Sequence, residues 1–129
     1  MKKLLLLLFF AAGLGCQKSS SDNRNQLTGR WELRRSEGGI AGTIVYPPGS
    51  GLIYSFNANN RFTYSSNGAV SDSGTFTLTP LPAGQWSLEL RSVLVNSTTI
   101  IPVTINKTQL IFLAAMCCVD IPTLTFSKI

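Results

Sequence analysis

The stretch that decides the fold is residues 52–65, which read LIYSFNANNRFTYS. Leu52, Tyr54 and Phe56 occupy every second position, and the same spacing resumes at Phe62 and Tyr64 after residues 57–60. A period of two places such side chains on one face of a strand. Asparagine-rich turn residues between two such runs are typical of an antiparallel hairpin. The stretch therefore predicts a hairpin with one buried aromatic face.

The same alternation recurs on both sides of this hairpin, and no window shows helical periodicity. Short strands joined by tight turns indicate an all-β sandwich or barrel. Sequential hairpins favour a small eight-stranded antiparallel up-and-down barrel, because closure of the sheet removes its unpaired edges. The six further predicted strands are centred on Trp31–Leu33, Phe76–Leu78, Trp86–Leu90, Ile101–Ile105, Leu110–Ala115 and Leu124–Phe126. The predicted inward-facing aromatic residues are Trp31, Tyr54, Phe56, Phe62, Tyr64, Phe76, Trp86, Phe112 and Phe126.

The first fifteen residues predict an export signal. Lys2 and Lys3 precede an apolar run that is too short to span a bilayer, and small residues follow it. Residues 13–16, Gly-Leu-Gly-Cys, resemble a bacterial lipobox, which implies cleavage before Cys16 and acylation of its thiol, for example with palmitate. The alternative is an ordinary signal peptide with an incidental cysteine.

Three segments follow from this reading: a signal peptide over residues 1–15, a tether over 16–26 and a barrel domain over 27–129. The tether is polar and predicts a flexible linker, since it lacks the apolar residues that folding requires. Gln17 stands where an aspartate would favour retention at the inner membrane. The expected location is therefore the outer membrane, on either face, with the lipid anchor as the membrane contact.

The charge of the chain argues against a nucleic-acid partner. The whole sequence carries a net charge of +5, and loss of Lys2 and Lys3 leaves nine basic and six acidic side chains, a net charge of +3. These basic residues are scattered along the sequence, whereas nucleic-acid readers cluster theirs on one face.

Catalytic and metal sites are not predicted. The chain has no histidine, and no two of its acidic residues are spaced so that they must share one face. Nucleophilic triads and general acid–base pairs need those groups, so we expect a protein without enzymatic activity and without a cofactor. Cys117 and Cys118 form a vicinal disulfide, buried thiols or part of a soft-metal site, and a metal site would need more ligands than the sequence offers.

The connection Ser36–Ser50 differs from the others. It is long, begins with glycines, ends with Pro47 and Pro48, and carries Tyr46 and three aliphatic residues. Long connections in small domains are often lids or binding loops. The alternative is that its apolar residues plug one end of the barrel as part of the core.

Several motifs in order resemble the lipocalin-like domains of small bacterial lipoproteins. The run Gly29-Arg30-Trp31 opens the first strand, as the Gly-x-Trp element does in lipocalins, and residues 54–57, 73–76 and 124–129 continue the similarity. The resemblance implies that Gly29 and Trp31 form the closed base of the barrel. In that family a late arginine packs on the tryptophan; Lys128 stands near that place here and would make a cation–π contact.

Two functions are consistent with this reading. The first, implied by the resemblance, is binding of a small hydrophobic or amphiphilic molecule in the barrel, with Tyr46, Tyr54, Tyr64 and Trp86 as contacts. An eight-stranded barrel either holds one small ligand or is filled by its own side chains. The second function is therefore a structural or protein-interaction lipoprotein, for example an inhibitor, with a filled barrel and an envelope protein as partner.

Overall fold

Within the residues that the structure describes, the chain forms one short helix and nine strands. The computed structural model describes residues 20–114 and 120–129. The helix α1 covers Ser20–Leu27, and a 3-10 turn covers Pro82–Gly84. The strands are β1 Gly29–Glu37, β2 Ile44–Val45, β3 Leu52–Phe56, β4 Arg61–Ser66, β5 Ala69–Pro80, β6 Trp86–Ser92, β7 Thr98–Ile105, β8 Gln109–Phe112 and β9 Thr123–Lys128.

Eight of these strands close into an antiparallel barrel. Each strand from β3 to β9 pairs with the next, and β1 pairs with both β3 and β9. Closure is made by register pairs such as Leu33 with Phe126 on one side of β1 and Trp31 with Tyr54 on the other. The predicted all-β, eight-stranded antiparallel barrel is therefore confirmed, with β2 as one additional strand.

The connections alternate between the two ends of the barrel. We call the end that carries α1, residues 57–60, 81–85 and 106–108 the base end. The opposite end carries residues 38–51, 67–68 and 93–97 and the connection between β8 and β9, and we call it the loop end. This division matters below, because the two ends differ in chemistry.

The barrel interior is packed with apolar side chains. Of the nine aromatic residues predicted to face inward, eight belong to the core, six of them buried and Tyr54 and Trp86 partly buried against it. Tyr64 lies beside that core, with its ring centroid 4.6 Å from that of Tyr54. The buried apolar residues are Leu27, Trp31, Leu33, Phe56, Phe62, Phe76, Leu88, Leu90, Val103, Leu110, Phe112 and Phe126.

The connection after β1 neither plugs the barrel nor stays irregular. Residues 44 and 45 form β2, which pairs with Ser36 and Arg35 and so extends the barrel wall beside β1. Ile40, Ile44 and Val45 are exposed, and Tyr46 alone of the four apolar residues noted above packs on the core. The expectation that these aliphatic residues fill one end of the barrel is therefore wrong.

The structure also differs from the sequence expectation at residues 20–27, most of which were assigned to a flexible tether. An eight-residue segment with seven polar residues cannot hold a helix in isolation, because nucleation is unfavourable. Here Leu27 is fully buried, and the Trp31 Nε1–H donates a hydrogen bond to its carbonyl oxygen (2.7 Å). Attachment to the base of the barrel stabilises α1. Within the described residues, no helix has the length and apolar character needed to cross a membrane.

Candidate functional site

The base of the barrel is built around Trp31. Its side chain has no exposed surface, and the Lys128 ammonium lies 5.2 Å from the ring centroid. Gly29 makes room for this arrangement: its φ is +135°, and a Cβ atom there would lie 2.8 Å from Lys128 Cε. The cation–π contact expected from the sequence is therefore present.

The four side chains predicted to contact a ligand do not line one cavity. Tyr54 lies in the middle of the aromatic core, with ring centroids of Tyr64, Phe112 and Phe126 within 6 Å of its own. Tyr46 packs on the core from the loop end. Trp86 begins β6 beside the turn at the base end, and β6 is not a neighbour of β3 or β4, which carry Tyr54 and Tyr64.

The tyrosines form an electrostatically coupled group at the edge of the core. Burial raises the pKa of Tyr54 to about 12, and the neighbouring Tyr64 and Asp72 add to the shift. Burial also raises the pKa of Tyr64, with a smaller contribution from Tyr46. All these shifts favour neutral phenols, so the group adds no negative charge to the barrel at neutral pH.

A buried carboxylate fastens the loop after β2 to the outside of the barrel. Glu32 is 4% exposed although it faces outward. Its Oε1 accepts hydrogen bonds from the Gly49 N–H (3.0 Å) and forms an ion pair with Arg34 Nη2 (3.0 Å), and its Oε2 accepts from the Gly51 N–H (3.4 Å). Alternation along β1 predicts only that Glu32 faces away from the core. The sequence gives no signal that residues 49–51 cover it.

The outer wall at the base end carries a groove of about 510 Å³. Its floor is a row of small outward side chains in register, Ser55, Thr63 and Ser73, and Arg30 pairs with Ser55 at one end of this row. Arg61 lies on the same face of β4 as Thr63 and borders the groove as well. The groove arises because long side chains flank short ones.

The groove is cationic. Arg30 and Arg61 are both exposed, and neither forms an ion pair within residues 20–114 and 120–129. No acidic side chain lines the groove in the described part of the chain. The neutral polar residues that line it are Thr28, Ser55, Asn57, Thr63 and Ser73. The arrangement can donate hydrogen bonds to an anionic or polar group. It is a site that the sequence analysis missed, because Arg30 and Arg61 are brought together only by the β1–β3–β4 register.

The loop end is apolar on its surface. Nine large aliphatic side chains in its loops and adjoining strand ends are exposed, from 39% for Ile44 to 92% for Ile40. The described base end has two of this kind, Leu81 and Ile129. We call this set the apolar rim: Ile40, Ile44, Val45, Val70, Val93, Leu94, Val95, Ile100 and Ile121.

Three residues singled out in the sequence lie outside the described part of the structure. These are the predicted lipidation site Cys16 and the neighbouring Cys117 and Cys118. Within the described residues, no group of three or more metal-binding side chains comes together.

Comparison with known proteins identifies no relative: no protein family, no curated protein and no solved structure matches the chain. What the structure itself establishes is a closed eight-stranded antiparallel barrel that is compatible with a lipocalin-like fold.

Proposed function

We propose that this chain is a lipid-anchored, lipocalin-like barrel of the bacterial outer membrane that acts without catalysis and presents its apolar rim to an envelope protein. The observation that carries the proposal is the contrast between a filled interior and an exposed apolar end. The barrel would then serve as a rigid scaffold, and its function would lie on its surface.

The packing of the core supports a scaffold role. Tyr54 contacts aromatic rings of β3, β4, β8 and β9, so side chains from opposite walls meet at the centre of the barrel. An eight-stranded barrel whose walls meet in this way leaves little room for a ligand. Protein interiors are packed as densely as organic crystals, and a ligand would have to displace these rings.

The exposure of the apolar rim supports the proposal that it binds another protein. Val93, Leu94 and Val95 are consecutive and each at least 64% exposed. Single exposed aliphatic residues are ordinary, but a collection of them at one end of a small domain marks an interaction surface. A partner that covers the rim removes this surface from water, at roughly 25 cal/mol for each Å² buried.

The proposal is tested by site-specific crosslinking from the rim in cells that carry the acylated protein. A photoreactive group at Ile40 is expected to give one predominant adduct. The adduct should be lost in the double variant Leu94→Gln, Val95→Thr and should persist in the control Leu81→Gln at the base end. Loss of the adduct in both variants, or persistence in both, contradicts the proposal. The anchor itself is tested by labelling with palmitate, which we expect in the unaltered chain and not in Cys16→Ser.

A second candidate function is binding of a small apolar molecule at the mouth of the barrel. One observation favours it: an apolar pocket of about 220 Å³ between β7, β8 and residues 121–124, lined by the inward-facing Ile101, Phe112 and Leu124. This volume is below the roughly 300–1,000 Å³ that is usual for ligand pockets. Titration with a fluorescent fatty acid tests it: saturable binding that is lost in Ile101→Trp would favour this function over the scaffold role.

A further inference from the structure

Five of the eight described cationic side chains lie at the base end of the folded barrel, although they are scattered in the sequence. Arg24 lies in α1, Arg30 begins β1, Arg61 begins β4, Lys107 lies in the turn before β8, and Lys128 ends β9. All five are exposed. The strand register and the hairpin turns therefore bring basic residues that are far apart in the sequence to one end of the barrel, which is positively charged.

The described acidic side chains do not neutralise this surface. Glu32 and Glu37 pair with Arg34 and Arg35, further along β1. Glu89 lies closer, but it is paired with Arg91, which stands one strand beyond Arg61 in the row Arg61–Thr75–Arg91. Asp72 accepts hydrogen bonds from the Ser73 N–H and the Ser92 hydroxyl on the inner side of β5, and Asp120 lies at the loop end. The side chain of Asp22 lies outside the described part. Its charge would offset at most one of the five positive charges.

The base end is also the end from which the N-terminal chain departs. Three residues lie between Cys16 and the start of α1 at Ser20, and the four intervening peptide units span at most about 14 Å. An acylated Cys16 would therefore hold the base end, rather than the apolar rim, beside the bilayer. A tether this short lets the base end touch the headgroups, at separations below the screening length of roughly 8–10 Å, where the headgroup charges act on the protein.

We propose that the base end is a docking surface for anionic phospholipid headgroups, and that the groove between Arg30 and Arg61 takes a headgroup phosphate. Guanidinium groups suit this ligand because their planar donors match phosphate oxygens in pairs. The hydroxyls of Ser55, Thr63 and Ser73 supply further donors along the floor of the groove. The barrel then stands on the membrane with its apolar rim pointing away from it, where a protein partner can reach it.

This proposal goes beyond the scaffold function and does not require the acyl chains, since charge alone holds the surface to the lipid. It is tested with the mature chain, residues 16–129, carrying Cys16→Ser so that no acyl group contributes. Partition is measured by co-sedimentation with vesicles of phosphatidylcholine containing phosphatidylglycerol, and with vesicles of phosphatidylcholine alone. We expect binding to the anionic vesicles only, and its loss at about 1 M salt, where the screening length falls to about 3 Å.

The double variant Arg30→Gln, Arg61→Gln should lower the partition coefficient about 25-fold, since each basic residue at an anionic surface contributes about fivefold. The matched control is Arg34→Gln, Arg35→Gln, which removes the same net charge from the part of β1 nearer the loop end and should change partition less than about twofold. Equal binding to neutral vesicles, no binding to anionic ones, or equal losses in both double variants would overturn the proposal. Failure of lipidation at Cys16 would appear only in the labelling experiment, so the two proposals fail separately.

Discussion

Replacing Glu32 with glutamine changes one buried oxygen to an amide beneath residues 49–51 while the volume of the side chain is kept. The remaining oxygen can still accept the hydrogen bond from Gly49, which is 3.0 Å in the structure. The Gly51 N–H would then face an amide NH2 group, and Arg34, whose side chain is 23% exposed, would lose the carboxylate at 3.0 Å. Because the retained oxygen is the one that also contacts Arg34, the variant leaves the Gly51 N–H without an acceptor and gives the largely buried guanidinium a neutral oxygen in place of a carboxylate.

The expected cost follows from these two losses. A hydrogen bond to a charged group contributes about 1.5–3 kcal/mol, and the longer bond at Gly51 belongs near the lower end of that range. Because the partial exposure of Arg34 screens its lost partner, we expect a total loss of about 3 kcal/mol in the free energy of unfolding. For a domain of this size that corresponds to a fall of roughly 12 °C in Tm.

The assay is thermal and urea unfolding of Glu32→Gln beside Glu89→Gln. The control removes a carboxylate whose ion pair with Arg91 is at the surface, with side chains 27% and 68% exposed, and should cost less than about 1 kcal/mol. Hydrogen exchange should also become faster at the amides of Gly49 and Gly51. A loss in Glu32→Gln no larger than that of the control would refute the reasoning.

Three further predictions concern the core and the base. The pKa of Tyr54 is about 12 in the folded chain, whereas an unfolded tyrosine ionises near 10. The free energy of unfolding is therefore unaffected below pH ~10 and falls by about 3 kcal/mol between pH ~10 and ~12. The fall should be smaller in Tyr54→Phe, and an equal fall in both proteins would refute this prediction. Gly74→Ala would place a Cβ atom 1.8 Å from the Arg91 carbonyl oxygen and would force β5 and β6 apart. Urea unfolding should therefore show that the free energy of unfolding falls by about 3 kcal/mol or more. The control Thr75→Ala, at an exposed position of the same strand, should lower it by less than about 0.5 kcal/mol. Trp31→Phe removes the donor to the buried Leu27 carbonyl and should cost about 2 kcal/mol. Lys128→Met removes the cation above the ring and an exposed hydrogen bond of 3.4 Å to the Gln26 carbonyl, and should cost about 1 kcal/mol; the opposite order in thermal unfolding would contradict this description of the base.

The fold was accessible from the sequence because its signal is local. Alternation in runs such as residues 52–56 and 61–66 depends only on the two-residue period of a strand, and the tight turns between runs leave few topologies to consider. All eight predicted barrel strands are present. The two-residue strand β2 has too few residues to show a period, and α1 is polar and depends on its attachment at Leu27 and Trp31, so neither had a local signal.

The surface features were less accessible because they depend on contacts between distant residues. Glu32 reads as an ordinary outward residue until residues 49–51 are folded over it. Arg30 and Arg61 are 31 positions apart in the sequence and meet only through the pairing of β1, β3 and β4. Inward direction was predicted for Tyr54, Tyr64 and Trp86, but periodicity cannot tell a side chain that lines a cavity from one that fills it.

The central claim of this account is that the barrel is filled by its own side chains and acts through its surface. The most direct test is native mass spectrometry of the acylated Arg30→Gln, Arg61→Gln protein, in which the proposed headgroup groove is removed, released gently from the envelope. We predict a single species whose mass equals that of the mature chain with its acyl groups, before and after collisional activation. A second species that carries a non-covalent small molecule, and loses it on activation, would contradict the claim.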